Sequence, residues 1–267
     1  MTGHVFLILP FFCSLVYAIG ALLLKRSMET GHPPRHAMVA CNLAIALFSL
    51  PLLFLAKPPP AGLSLWVWLT APACSGLFFF GQIATFRALA RGDVSVATPV
   101  LGTKVLMTAL IGAVFLPGGV DLRLWLGALL GTGGVALVGW HPGARPEKMG
   151  PAVGWSLLAA ASFSLTDVLV AKVANQVGFC LFGPWMMAGM AAISLIRVPS
   201  REWRGIGVAG RGWIWAWAGA LLIGLQGSFL YAAIGLSGDP VGVNVVYAVR
   251  GLWSVLLVAL VAKRWGD

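Results

Sequence analysis

Apolar stretches of about 20 residues follow one another along almost the whole chain, separated by short polar loops. A helix of about that length is needed to cross the hydrocarbon core of a membrane, which is about 30 Å thick. Only 10% of the 267 residues are charged, whereas a soluble domain of this size carries about a quarter. We therefore predict an all-α integral membrane protein with nine spanning helices, within residues 5–24, 37–56, 62–86, 94–116, 124–140, 152–171, 178–196, 212–236 and 241–262.

The positive charge of the chain is distributed as in a membrane protein. The formal net charge is +10, but the cations mostly mark the ends of apolar stretches, whereas a nucleic-acid-binding face needs them clustered. Cations concentrate after the first, third, fifth and seventh spans and in the tail, which places the N-terminus outside by the positive-inside rule. We expect a multi-pass protein of the cell membrane, specifically the bacterial inner membrane. Its expected partner is the lipid bilayer, and we expect it to bind no nucleic acid.

The sequence repeats weakly at a displacement of 146 or 147 residues, which indicates internal duplication. The first repeat, residues 1–146, contains five spans, and the second, residues 147–267, shows four. We expect the chain to be truncated before a tenth helix, with natural absence of that helix as the alternative. The matched positions are Lys25 with Lys172, Gly31 with Gly178, Trp66 with Trp213, Trp68 with Trp215, Gly81 with Gly227, Asp93 with Asp239, Lys104 with Arg250, and Asp121 with Asp267.

An odd number of spans in each repeat has a topological consequence. After five spans the chain is on the opposite side, so the second copy enters the membrane upside down. Inverted repeats of this kind occur in many secondary transporters, whose substrate sites lie near the midplane between the halves. The sequence therefore predicts two inverted repeats of five transmembrane helices, with the tenth missing.

The stretch FRALARGDVSVATPVLGTKVLMTALIGAVF, residues 86–115, and its continuation to residue 140 resemble the drug/metabolite transporter superfamily, EamA type. The second copy, YAAIGLSGDPVGVNVVYAVRGLW onward from residue 231, resembles the same pattern. The resemblance implies a ten-helix fold and carrier activity towards small metabolites. The family usually has a Gly-Glu pair in the hairpin where this chain has Asp121, which leaves the subfamily open. Because related triose-phosphate and nucleotide-sugar carriers use cations on the corresponding helices, the resemblance also implies anion binding by Lys104 and Arg250.

Two cations lie deep inside apolar stretches. Lys104 and Arg250 each lie eleven residues after an acid taken as a helix cap, Asp93 and Asp239 respectively. At 1.5 Å per residue this is about 16 Å along a helix, near the middle of a bilayer. A charge there costs at least about 2.5 to 3.5 kcal/mol and needs water, a partner or a ligand. We predict that both cations bind an anionic group in a central cavity; pairing with Asp167, or snorkelling to an interface, is the alternative.

Asp167 is the only acid well inside a predicted span, about four residues short of its polar end. Acids within membranes often mark proton relays, so Asp167 is a candidate proton-coupling group. The alternatives are a fixed counter-ion of Lys104 or Arg250, and a helix-end residue without a role in transport.

Further polar and aromatic side chains could complete a substrate pocket. Tyr247 shares a helical face with Arg250, and Asn244 lies nearby. The alternative for these residues is hydrogen bonding between helices, worth about 0.6 kcal/mol each on average. The predicted substrate-binding set is Lys104, Arg250, Tyr247, Asn244, Gln82, Gln226 and Trp253.

The remaining function classes lack support in the sequence. The chain has no H-E-x-x-H pattern and no phosphate-binding loop of the G-x-x-x-x-G-K-[ST] kind, so we expect no enzyme, no bound metal and no cofactor. We predict a secondary carrier that moves a small metabolite with an anionic group by alternating access, and leave open whether it forms a homodimer. A drug or amino-acid exporter with a neutral aromatic cavity is the first alternative, ahead of a non-transporting scaffold or an intramembrane enzyme.

Overall fold

A computed structural model describes residues 5–91, 100–138, 146–197 and 211–265. In these ranges every regular element is a helix, which confirms the prediction of an all-α membrane protein. Two shorter apolar helices, Val100–Phe115 and Leu122–Leu137, correspond to the fourth and fifth predicted spans. Seven other described helices are long and apolar enough to cross a membrane: Ile8–Glu29, Pro34–Leu55, Leu65–Ala88, Gly150–Val177, Phe179–Arg197, Gly212–Ser237 and Pro240–Leu257.

The helices of the described ranges are labelled here in chain order. A short 3₁₀ helix, Leu50–Leu55, continues the second of them. The helices are α1 (Val5–Glu29), α2 (Pro34–Ser49), α3 (Leu65–Arg91), α4 (Lys104–Phe115), α5 (Leu122–Val138), α6 (Pro146–Val177), α7 (Phe179–Arg197), α8 (Arg211–Ser237), α9 (Pro240–Tyr247) and α10 (Arg250–Trp265).

The fourth and ninth predicted spans are interrupted immediately before their cations, whereas we expected continuous helices. The first interruption lies at Thr103, whose backbone N–H and hydroxyl both donate to the carbonyl of Val100, at 3.1 and 2.6 Å. The second separates α9 from α10, where Val249 N–H donates to the carbonyl of Val246 at 3.3 Å. Both are tight i→i−3 bonds, which replace the α-helical i→i−4 pattern. Each cation is consequently the first residue of a new helix.

Contacts between helices occur in pairs that correspond under the 146-residue displacement. This displacement relates α1 to α6, α2 to α7, α3 to α8 and α4 to α10. The packing of α3 on α6 then corresponds to that of α8 on α1, and α4 on α6 corresponds to α10 on α1. Helices α2 and α7, which also correspond, pack on each other. The division into two halves stays a prediction. Two repeats of similar structure would make corresponding helix contacts of this kind.

Glycine brings α8 close to the backbone of α2. A Cβ atom added at Gly224 would lie 2.7 Å from the carbonyl carbon of Ala44 and 2.9 Å from the backbone nitrogen of Ile45. Small residues permit such approaches between helices in membranes. On the same pair of helices, the Ser228 hydroxyl donates to the carbonyl of Ile45 at 3.0 Å, which fixes the contact.

We expect Gly224→Ala to lower the free energy of unfolding by about 1 to 3 kcal/mol, because the clash is with backbone that cannot rotate away. Thermal unfolding of the detergent-solubilised protein measures the effect. Gly76→Ala in α3 is the matched control, because no described atom outside its own stretch of helix lies within 4 Å of its added methyl group. Equal melting temperatures for the two variants would contradict the close packing of α2 and α8.

Candidate functional site

Lys104 and Asp167 form an ion pair between α4 and α6. Their Nζ and Oδ2 atoms are 2.8 Å apart, the Lys104 side chain is 13% exposed, and Asp167 is fully buried. Because α6 continues to Val177, Asp167 lies ten residues before the helix ends. The expectation that it lies about four residues from a polar end was wrong, since the helix extends beyond its most apolar part.

The carboxylate of Asp167 also contacts the ninth span. Asn244 Nδ2 donates to Asp167 Oδ2 at 2.7 Å and to the carbonyl of Pro240 at 2.7 Å. Tyr231 lies beside the same buried carboxylate. Asp167 thereby joins elements of both predicted halves.

Arg250 has aromatic partners instead of an acid. Its guanidinium carbon lies 5.0 Å from the ring centroid of Tyr17 and 4.7 Å from that of Tyr247. The Tyr247 hydroxyl donates to Gln226 Oε1 at 3.1 Å, which holds the ring in place. Arg250 is half-buried, and within the described residues it makes no ion pair. Cation–π contacts stabilise a guanidinium but leave its charge uncompensated.

The surroundings of the two cations correspond under the same displacement of 146 residues. Lys104 Nζ lies 5.9 Å from the ring centroid of Phe163, and Phe163 corresponds to Tyr17, the ring that contacts Arg250. The hydroxyl four residues after each cation donates to that cation's carbonyl, from Thr108 at 2.8 Å and from Ser254 at 2.9 Å. These contacts make one unit that occurs twice: a cation at a helix start, an aromatic ring and a hydroxyl.

The two units belong to one electrostatic site. Lys104 and Arg250 lie within range of each other's charge, and Asp167 acts on both. In the described residues, the region therefore combines two cations with a single buried acid.

Gln82 lies in a separate polar cluster. Its side-chain amide exchanges two hydrogen bonds with that of Asn42, at 2.8 and 2.9 Å, and Asn42 also donates to Ser194 Oγ at 2.6 Å. This geometry favours the alternative for Gln82, hydrogen bonding between helices. The role in substrate binding stays a prediction for Gln82 as for the others.

The last predicted site residues are Trp253 and the helix caps. Trp253 packs edge-on against Phe11, with 5.7 Å between ring centroids, and its buried Nε1 has no hydrogen-bond partner in the described part of the chain. Asp239 caps α9 by accepting from Gly242 N–H at 2.8 Å, as predicted. Asp93 lies outside the described residues.

The predicted set left out three aromatic residues of the site, and the first is Tyr17, which contacts Arg250. Phe163 contacts Lys104, and Tyr231 lies beside Asp167. Phe78 packs between them, with ring centroids 5.1 Å from Phe163 and 5.7 Å from Tyr231. The displacement of 146 residues from Tyr17 could have identified Phe163, but no pattern singles out Tyr231. Among the described residues, no three His, Cys, Asp or Glu side chains are placed to hold a metal ion.

Comparison with known proteins agrees with this architecture. The EamA-like transporter family matches residues 2–140. The chain belongs to the EamA-like transporter family. This membership confirms the resemblance seen in the sequence, to a family of transporters.

Two curated relatives and one solved structure are similar to this EamA-like protein. An uncharacterized transporter of Synechocystis sp. is 26% identical over 214 residues, which cover 73% of this chain and 60% of the relative. A protein of Pseudomonas savastanoi pv. phaseolicola named "Probable 4-amino-4-deoxy-L-arabinose-phosphoundecaprenol flippase subunit ArnE" is 38% identical over 76 residues, 28% of this chain and 63% of its own. The chain thus spans less than two thirds of either relative. A protein crystal structure superposes with a TM-score of 0.72 at 21% identity, covering 96% of this chain and 89% of that one, and supports the fold alone.

Proposed function

We propose that this EamA-like transporter is a secondary carrier in the bacterial inner membrane that moves a small metabolite with an anionic group. The uncompensated charge of Arg250 is the observation that carries the proposal. Asp167 is the only buried acid in the described residues, and it pairs with Lys104. A cation inside a membrane protein requires a partner, water or a ligand, and an anionic substrate would supply the missing partner.

The geometry around Arg250 suits an anion. The planar guanidinium lies against two tyrosine rings, so its donors are held in a fixed orientation that matches a carboxylate or phosphate. The relative named as a flippase subunit for a phosphoundecaprenol derivative is named for a substrate with an anionic phosphate group, which agrees with this assignment.

Alternating access would use the two interrupted spans. A mid-span interruption lets the segments on either side move separately, and transporter substrate sites are often built at such breaks between repeats. Here the interruptions lie at Thr103 and at residues 248–249, directly beside the two cations. Binding and movement would therefore be coupled at the same positions.

An exporter of neutral drugs or amino acids is the second candidate. The aromatic rings in and around the site favour it, because they could line a cavity for an apolar ligand. Tyr17, Phe163 and Tyr247 contact the cations, and Phe78 packs against Phe163 and Tyr231.

A counterflow screen with purified protein in liposomes tests the proposal. Panels of anionic, zwitterionic, cationic and neutral metabolites are exchanged against the same compounds inside the liposomes, with protein-free liposomes as the control. We expect anionic compounds to be exchanged fastest. Exchange of neutral or cationic compounds alone would favour the exporter, and turnover of a membrane substrate without exchange would favour an enzyme.

A further inference from the structure

The two corresponding cation units differ at one position. In α6, Phe163 contacts Lys104 and Asp167 follows it by four residues, so the two lie on one helical face. In α1, Tyr17 contacts Arg250 and Ala21 follows it by four residues. Asp167 and Ala21 correspond under the displacement of 146 residues. The acid that neutralises the cation in one unit is therefore an alanine in the other.

This difference determines the charge that a ligand meets. Lys104 and Asp167 cancel each other at a separation of 2.8 Å, which leaves the charge of Arg250. The Ala21 side chain is half-buried and lies one helical turn from Tyr17, the ring that contacts Arg250. Among the described residues, the site has two cations but one uncompensated positive charge.

We propose that Asp167 and Ala21 are the residues that set the charge preference of the carrier: it accepts ligands with one negative charge and discriminates against dianions. A singly charged group, such as a carboxylate, sulfonate or phosphodiester, neutralises Arg250 completely. A dianion leaves one excess negative charge at the site. This inference rests on the proposed function and adds the charge class of the substrate.

The placement of Ala21 can be tested without a ligand. Ala21→Asp should leave the melting temperature unchanged, because the new carboxylate would pair with Arg250 as Asp167 pairs with Lys104. Adding Arg250→Met to that variant should lower its melting temperature by at least about 5 °C relative to Arg250→Met alone, because the new acid then lies buried without a cation. Ala40→Asp is the matched control: Ala40 is buried on α2 in a cluster with Cys41 and Ala220, apart from both cations, and should be destabilising by itself. A melting temperature for Ala21→Asp as low as that of Ala40→Asp would overturn the proposed placement.

The charge preference is tested with two probes of similar shape, benzenesulfonate and phenylphosphonate, at about pH 9. The first carries one negative charge and the second carries two. Calorimetric titration of the detergent-solubilised parent protein should show benzenesulfonate binding at least about ten times more tightly. Asp167→Asn should improve the relative affinity for phenylphosphonate by about tenfold, because it frees the charge of Lys104. Ala21→Asp should weaken the binding of both probes, since it neutralises Arg250.

The outcomes separate this inference from the proposed function. If the parent binds both anions and Asp167→Asn does not change their relative affinity, the charge-setting role is wrong while anion binding stands. If the parent binds phenylphosphonate more tightly, the preference for a single charge is wrong. If neither probe binds and the counterflow screen also finds no anion, both proposals fail. Should Asp167→Asn not fold, Ala21→Asp alone decides, because it must weaken anion binding while leaving the melting temperature unchanged.

Discussion

Replacing Lys104 by methionine is expected to destabilise the protein by about 3 to 5 kcal/mol, and replacing Asp167 by asparagine in the same chain should recover most of that loss. Breaking a buried ion pair leaves one charge without compensation, whereas removing both charges can be nearly neutral. The pair joins α4 to α6 with its atoms 2.8 Å apart, and Asp167 is fully buried. After Lys104→Met, hydrogen bonding from Asn244 would be the main remaining support of the carboxylate.

Thermal unfolding of the two single variants and the double variant measures this coupling. The matched control is the exposed pair of Lys25 and Glu29, whose charged atoms are 3.9 Å apart and whose side chains are 64% and 46% exposed. Exposed pairs contribute about 0 to 1 kcal/mol, so Lys25→Met should have little effect. Strictly additive losses from Lys104→Met and Asp167→Asn would show that the two side chains do not stabilise each other.

The spans could be predicted because hydropathy is a linear property of the sequence; the repeat, which rests on displacement along the same sequence, stays a prediction. The same signals could not predict the interruptions before Lys104 and Arg250. Both interruptions arise from a change of backbone hydrogen bonding, at Val100–Thr103 and Val246–Val249, inside stretches that are uniformly apolar. Apolar composition specifies burial in the membrane, but it does not distinguish one hydrogen-bonding pattern of the helix from another.

The site could be predicted in part. The displacement of 146 residues identified Lys104 and Arg250 as corresponding positions of the two repeats. Asp167 could be identified as a charge within an apolar stretch. Which cation Asp167 meets depends on the packing of α4 against α6, and the sequence left that choice open. Gln82 was grouped with the site because it is polar, but only the fold shows that its amide forms two hydrogen bonds with the amide of Asn42. Polarity within a span indicates that a partner is needed, without identifying it.

Replacing Arg250 by glutamine is expected to reduce anion counterflow at least about 100-fold, while replacement by lysine should reduce it about tenfold. Glutamine removes the only uncompensated positive charge that the described site offers a ligand. Lysine keeps that charge but loses the planar group that lies 5.0 and 4.7 Å from the ring centroids of Tyr17 and Tyr247. Because a lysine ammonium is a compact, strongly hydrated point charge on a flexible stem, it should bind the anion with poorer orientation. Initial rates of exchange of the best anion from the screen measure the difference.

Arg123→Gln is the matched control, because it removes the same charge from an exposed position at the start of α5. A loss common to both variants would indicate a general effect of net charge on insertion or assembly. Tyr17→Phe keeps the ring beneath Arg250 and should keep most of the rate, whereas Tyr17→Leu removes the ring and should approach the lysine variant. If Arg250→Gln carried anions as fast as Arg123→Gln, the charge at the start of α10 would serve the fold alone, and the substrate would have to be recognised by the aromatic rings.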